Sequence, residues 1–192
     1  ALNIMKNIYA KNGINLDIKD TETLESKYSH VSYKFNNSLT AEMVSKGNKD
    51  EVNIYFITDY TEPSSTILGN SSGIPGSQGL KGSHNGVLIN LSAHKNEGNL
   101  DNQLLGETAG HEMGHFLGLF HPTENSGNLF DPISDTPKCT SGQISTSDCE
   151  NQGANNLMFW TIYSASDRSN GKKQDNLTEG QVYVLKRALI AK

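Results

Sequence analysis

Three histidines at positions 111, 115 and 121 constrain this chain more than any other feature of its 192 residues. The stretch reads His111-Glu112-Met113-Gly114-His115-Phe116-Leu117-Gly118-Leu119-Phe120-His121. On a helix, positions i and i+4 share one face, so His111 and His115 can aim both imidazoles at a single ion. Gly118 can take the left-handed conformation that ends such a helix, and the turn brings His121 round as a third ligand. Histidines at this spacing are the signature of a zinc site. Three protein ligands leave one coordination position open, which distinguishes a catalytic zinc site from a structural one. Glu112 follows the first ligand and so lies beside the metal rather than on it, placed to act as general base toward an attacking water. A solvated carboxylate on a helix face is the plainer reading of Glu112, and its place between two ligands argues against that. Gly118 is a helix C-cap on either reading.

Charge and composition narrow the partners. Sixteen Lys and Arg against 21 Asp and Glu give a formal charge of −5 with no basic tract. This excludes nucleic acid or an anionic membrane surface as the main partner. No apolar run approaches the length of a membrane span, and no signal peptide is present. The first residue is Ala1, from which an upstream export signal and pro-segment are expected in a precursor. A length of 192 residues fits one domain, residues 1–192, with two lobes flanking a cleft, and a monomer is expected.

The two cysteines, Cys139 and Cys149, stand close together in a loop rich in Ser, Thr, Gly and Pro. A disulfide closing so short a loop would contribute about 3 kcal/mol. Free thiols and zinc thiolates are the alternatives; the bridge is favoured because a polar loop rarely keeps exposed free thiols, and because the spacing is not Cys-x-x-Cys. A bridge would point to an extracytoplasmic protein.

Along the chain, Leu2, Ile4, Met5, Ile8 and Tyr9 recur at helical spacing before Gly13. Alternation at Ile14, Leu16 and Ile18, and at Val31, Tyr33 and Phe35, predicts two strands. A short helix is expected from Leu39 to Lys46, and strands over Val52–Ile57 and Gly86–Leu91. Between Asp59 and Asn85, Ser, Gly and Pro predict a long loop that could rim a substrate cleft. Asp101 is a credible N-cap for a helix over about Asn102–Leu119 that carries the histidines. Gly106, Gly110, Gly114 and Gly118 form a stripe on it, each interior glycine costing about 1 kcal/mol relative to Ala. Such clustering predicts the close approach of a strand or loop. Regular pattern is lost after His121 until about Met158. Thr178 and Gln181 then make a capping box, with Leu177 and Val182 as its hydrophobic staple, and Val182, Leu185 and Leu189 give the last helix a buried side. Strands first, then a histidine-bearing helix, a loop-rich half and a terminal helix read as α+β.

The histidine motif resembles that of the metzincin clan of metallopeptidases, and the remainder is most similar to the pappalysin family. Asn156-Leu157-Met158-Phe159 matches the Met-containing turn of metzincins, with Met158 as the floor of the site; ordinary core filler is the plainer reading of that Met. Asp135-Thr136-Pro137 matches an Asp-Thr-Pro of pappalysins, and the nearby cysteines and the Leu-Thr-x-x-Gln opening of the last helix fit the same family. The resemblance spans most of the chain. It implies a strand-rich N-terminal lobe over about 1–118 with the active-site helix, a loop-rich C-terminal lobe over 119–192 ending in a helix, a cleft between them, and secretion as a zymogen that cuts peptide bonds. It further implies structural calcium in the loop after the third ligand, held by Asp131, Asp135 and the carbonyl of Thr136, where a solvated turn is the alternative.

Two departures from the family pattern stand out. Trp160 occupies the place of a Tyr whose phenol would stabilise the tetrahedral intermediate, and Tyr163, three residues on, is the preferred substitute because it carries the same hydroxyl. Thr161, Ile162 and Tyr163 lack the acidic residue associated with cleavage before Arg, so an apolar or mixed pocket is set beside that preference. The reading is a secreted zinc endopeptidase acting on protein or peptide substrates. Its rival is a metzincin-like binding, adhesin or toxin module with structural zinc, against which intact Glu112 argues. A non-peptidase zinc hydrolase is the weaker alternative among enzymes.

Overall fold

A computed structural model of the chain describes residues 1–62, 66–77, 85–140 and 145–190. The chain divides into two units, Ala1–Leu117 and Gly118–Ala191.

The first unit opens with helix α1 (Leu2–Ala10), which buries Met5, Ile8 and Tyr9 on its apolar face. It stops where the N–H groups of Asn12 and Gly13 bond back to Tyr9 and Ala10 and Gly13 turns to φ 69°. Helix α2 (Ser38–Val44) is capped by Asn37, whose side chain accepts from the N–H groups of Leu39 and Thr40. Among the described residues seven short strands follow: β1 (His30–Val31), β2 (Ile54–Ile57), β3 (Asp59–Tyr60), β4 (Gly69–Ser71), β5 (Val87–Asn90), β6 (Lys95–Asn96) and β7 (Asn99–Leu100). The main sheet has the order β2-β5-β4, with β2 parallel and β4 antiparallel to the central β5. Every residue of β5 is buried, as a strand covered on both faces requires. Strands β1 and β3 pair in parallel, and β6 and β7 form a hairpin. The core beside these strands joins Tyr28, Val31, Met43, Val44, Ile57, Tyr60 and Leu88.

Helix α3 (Asn102–Phe116) carries the first two histidines, three residues shorter at its end than the sequence suggests. Two glycines of its stripe, Gly106 and Gly110, lie against the N-terminal segment that carries α1. A Cβ on Gly106 would come within 2.7 Å of the Ile4 Cβ and 2.8 Å of the Ala1 carbonyl oxygen. The Tyr9 hydroxyl donates to the Gly110 carbonyl at 2.8 Å.

Three strand expectations change. Residues 14–18 form no strand: Ile14 is buried but Ile18 is exposed, and alternation without a pairing partner leaves the backbone unladdered. The expected strand through Val31, Tyr33 and Phe35 ends at Val31, because the Asn37 N–H bonds to the Lys34 carbonyl in a turn leading into α2. The expected loop from Asp59 to Asn85 contains β3 and β4, while residues 63–65 and 78–84 of it lie outside the described residues.

The second unit has no helix among its described residues before α4 (Ala165–Ser169) and α5 (Glu179–Ile190). Cys139 and Cys149 are joined, with Cα atoms 5.6 Å apart, and pack with Ala154, Phe159 and Tyr163 in a small core that Trp160 flanks. The capping box of α5 forms as the sequence indicates: the Thr178 N–H donates to Gln181 Oε1 at 3.0 Å, and the Gln181 N–H to Thr178 Oγ1 at 3.2 Å. Helix α4 was signalled by Ser164-x-x-Asp167, a capping pattern the periodicity of so short a segment conceals; Ser164 accepts from the Asp167 N–H.

Candidate metal centre and active site

Asp101 starts α3 by accepting the Leu104 N–H at 3.0 Å, which sets the register of every later residue on the helix. One turn apart near its end, the His111 and His115 rings stand edge to face with centroids 4.6 Å apart. The Leu117 N–H closes the last turn on Met113, and Gly118 at φ 101° redirects the backbone at the position where a side chain would be strained. A ligand atom from each of His111, His115 and His121 then lies within 4.8 Å of the others. Two nitrogens bound tetrahedrally at about 2.0–2.1 Å from one zinc stand roughly 3.4 Å apart, so small rotations of the rings bring this set onto an ion. The donors also suit it in kind: three imidazoles, with no oxygen-rich cage of the sort calcium or magnesium needs.

Glu112 is 8% exposed. Burial pushes its carboxyl up to about 8, and the Ser71 backbone N–H, donating to the carboxylate, opposes that rise. Strand β4 is built around this side chain. A Cβ on Gly69 would meet the Glu112 Cγ at 2.8 Å and the Leu88 carbonyl oxygen at 2.8 Å. Between Gly69 and Ser71, Asn70 anchors the strand by accepting from the Tyr60 hydroxyl at 2.7 Å and donating to the Tyr33 carbonyl at 2.8 Å. Tyr60 is itself held protonated by burial, with the nearby Glu112 charge acting in the same direction. Sequence reasoning missed Gly69, Asn70 and Ser71, since a strand of Gly, Asn and Ser has no apolar alternation. Its one signal was a glycine where another backbone or side chain comes close.

The other expected residues lie in the second unit. Met158 is fully buried, and its N–H donates to Asn156 Oδ1 at 2.9 Å. Asn156 and Gln181 exchange two side-chain hydrogen bonds, Asn156 Nδ2 to Gln181 Oε1 at 2.8 Å and Gln181 Nε2 to Asn156 Oδ1 at 3.1 Å. The turn carrying Met158 is thereby tied to the capping residue of α5. Neither Asn156 nor Gln181 was assigned this link from the sequence, because the partners are separated by 25 positions. Tyr163 is 2% exposed within the disulfide core, with the Lys172 ammonium 5.4 Å from its ring centre, while Trp160 is half-buried. Asp135 accepts from the Thr178 hydroxyl and the Gly180 N–H, both at 2.9 Å, at the start of α5. Asp131 is buried; its Oδ1 accepts from the Thr136 hydroxyl at 2.6 Å and the Ile133 N–H at 3.1 Å, and its Oδ2 has no partner among the described residues.

Comparison with known proteins places this geometry in a family. Residues 34–190 match the peptidase M43 family model, described as pregnancy-associated plasma protein-A. An extracellular metalloprotease of Arthroderma benhamiae is 40% identical over 73 residues, which cover 35% of this chain and 27% of that protein. An extracellular metalloprotease of Colletotrichum graminicola is 36% identical over 100 residues, covering 48% of this chain and 32% of that protein. The chain thus spans about a third or less of the length of these relatives. Archaemetzincin from Methanopyrus kandleri aligns over 78% of this chain and 63% of its own, with a TM-score of 0.42 and 15% identity. The family match runs over most of the chain and includes the whole histidine motif, and the chain belongs to the pappalysin-type peptidase family M43.

Proposed function

We propose that the protein is a secreted zinc endopeptidase that hydrolyses internal peptide bonds of protein substrates. The observation that carries this reading is the convergence of His111, His115 and His121 within 4.8 Å, with the buried carboxyl of Glu112 next to the first of them. When bound, zinc would supply Lewis acidity, polarising the scissile carbonyl and lowering the pKa of water to roughly 7. Glu112 accepts the proton of the attacking water and delivers it to the leaving amine. Ser71 holds that carboxylate from one side through its N–H, so the base needs little reorganisation before it acts.

Met158, buried in a turn held by Asn156, is proposed as the floor of the site on its match to the Met-containing turn. Trp160 and Tyr163 are the candidates for a second oxyanion donor. Calcium in the following loop is proposed at Asp131, whose buried Oδ2 has no partner among the described residues, with the Thr136 carbonyl; Asp135, already capping α5, contributes less. The disulfide and the relatives named as extracellular support secretion.

Casein turnover by the zinc-loaded protein, its loss on chelation and its return with one equivalent of zinc test this reading. Stoichiometric zinc binding without any cleavage of casein, gelatin or a peptide library would replace it with a binding module.

A further inference from the structure

His121 Nδ1 lies 3.0 Å from Glu124 Oε2, three residues on in the chain. A carboxylate only accepts, so this bond requires a hydrogen on Nδ1, and in the neutral ring the ligating lone pair is then that of Nε2. We infer that Glu124 is the positioning residue of the third metal ligand, fixing the tautomer and the ring orientation of His121 with Nε2 toward the ion. This rests on the zinc-site reading above and assigns within it a residue outside the eleven-residue motif.

The backbone around Glu124 is built to hold the carboxylate in place. Its N–H donates to the Leu129 carbonyl and its carbonyl accepts from the Gly127 N–H, both at 2.9 Å, while Thr123 bridges Phe130 across the same small hairpin. Gly127 takes φ 68° to close the turn. The hairpin is in turn fastened to the disulfide loop, because the Cys139 N–H donates to Thr123 Oγ1 at 3.0 Å. As a surface ion pair the contact would add little, for the side chains of His121 and Glu124 are 21% and 39% exposed and such pairs are worth about 0–1 kcal/mol. Its consequence lies with the ligand. Without the Glu124 acceptor, nothing in this contact selects the hydrogen on Nδ1, and the tautomer that carries it on Nε2 becomes accessible. A carboxylate behind a ligating imidazole also raises its basicity, and losing such a partner typically weakens metal binding about 10–100-fold.

The test measures zinc affinity by chelator competition for the parent protein, Glu124→Ala, Glu124→Gln and, as reference, His121→Ala. The metal-free melting temperature of each is recorded, along with the His121 ring proton in the zinc-loaded parent by ¹⁵N-histidine NMR. We expect Glu124→Ala to bind zinc about 10–100-fold more weakly with an unchanged metal-free melting temperature. Glu124→Gln should fall between, because its amide oxygen still accepts but carries no charge. The ring proton of zinc-loaded His121 should be on Nδ1. If Glu124→Ala binds within about two-fold of the parent while His121→Ala is clearly weakened, the positioning role is wrong and the zinc site stands. A ring proton found on Nε2 overturns the role even if a variant fails to fold. If His121→Ala binds as tightly as the parent, the zinc-site reading itself fails, and the role of Glu124 with it.

Discussion

Burial separates the two aromatic candidates for an oxyanion donor. Tyr163, preferred from the sequence because its phenol matches the expected group, is 2% exposed among Cys139, Cys149 and Phe159, whereas Trp160 is half-buried on the flank of that core. A donor must reach the reacting oxygen, and on that ground we propose the indole N–H of Trp160 beside the Tyr163 phenol preferred from the sequence. We expect Trp160→Phe to lower kcat by about 100-fold or more with KM and melting temperature little changed, the loss of one oxyanion donor being worth ~10²–10³. Tyr163→Phe should chiefly lower the melting temperature. Kinetics and thermal melts of the two variants decide it: a kcat loss confined to Tyr163→Phe restores the phenol, and parent-like kcat in both leaves the oxyanion to zinc alone. The sequence could not separate these residues, since which one faces solvent depends on how the chain turns after Met158, and no local pattern encodes that.

At the scale of elements, α1, α2, α3 and α5 were legible because each carries a local start or stop signal, whereas α4 was not read. Asp101 and the Thr178–Gln181 box are local signals, and the side-chain bonds they imply form. The four-residue strands β2 and β5 were read from their apolar, β-branched runs, whereas strands of two or three residues carry no such signal and depend on a distant partner; β4 has no apolar residue at all. Packing against α3 gives a sharp test. Gly106→Ala should gain about 1 kcal/mol from helix propensity, yet its Cβ would sit 2.7 Å from the branched Cβ of Ile4 and 2.8 Å from a backbone oxygen. Neither neighbour can rotate away, and overpacking typically costs about 1–3 kcal/mol, so the substitution should destabilise. A melting temperature equal to or above the parent's would show that α1 does not lie against this face. The start of α5 gives a second test, in pH. The Gly180 N–H, then the Thr178 hydroxyl, hold the Asp135 carboxyl below its ordinary value. A depressed folded pKa contributes stability that is present above the unfolded value of about 3.9 and is lost as pH falls through the folded one. Asp135→Asn should therefore lower the melting temperature at neutral pH and flatten its decline in acid. An unchanged acid limb would remove Asp135 from that role.

At the scale of the whole molecule, the two units differ in what holds them. The first unit has a sheet packed by α3, which α1 covers in turn, and an apolar core, whereas among the described residues of the second a disulfide, a buried Asn156–Gln181 pair and helix caps stand in for a larger core. Reduction of Cys139–Cys149 should therefore lower stability by about 3 kcal/mol, read as a shift in the denaturation midpoint of the second unit. The candidate site was more legible than this architecture. Four of its residues lie within eleven positions of one motif, so local geometry alone assembles most of it; Ser71 and Asn156 reach their places through pairing that only the folded chain reveals. The account stands on Glu112 acting as a base beside a metal held by three histidines. The most direct measurement is peptide-bond cleavage by zinc-loaded Glu112→Ala, with bound zinc counted in the same sample. We expect one zinc per chain, as in the parent, and a rate lower by about 10²–10⁴, the usual worth of general acid–base catalysis. Cleavage within a few-fold of the parent at full zinc occupancy would contradict the account.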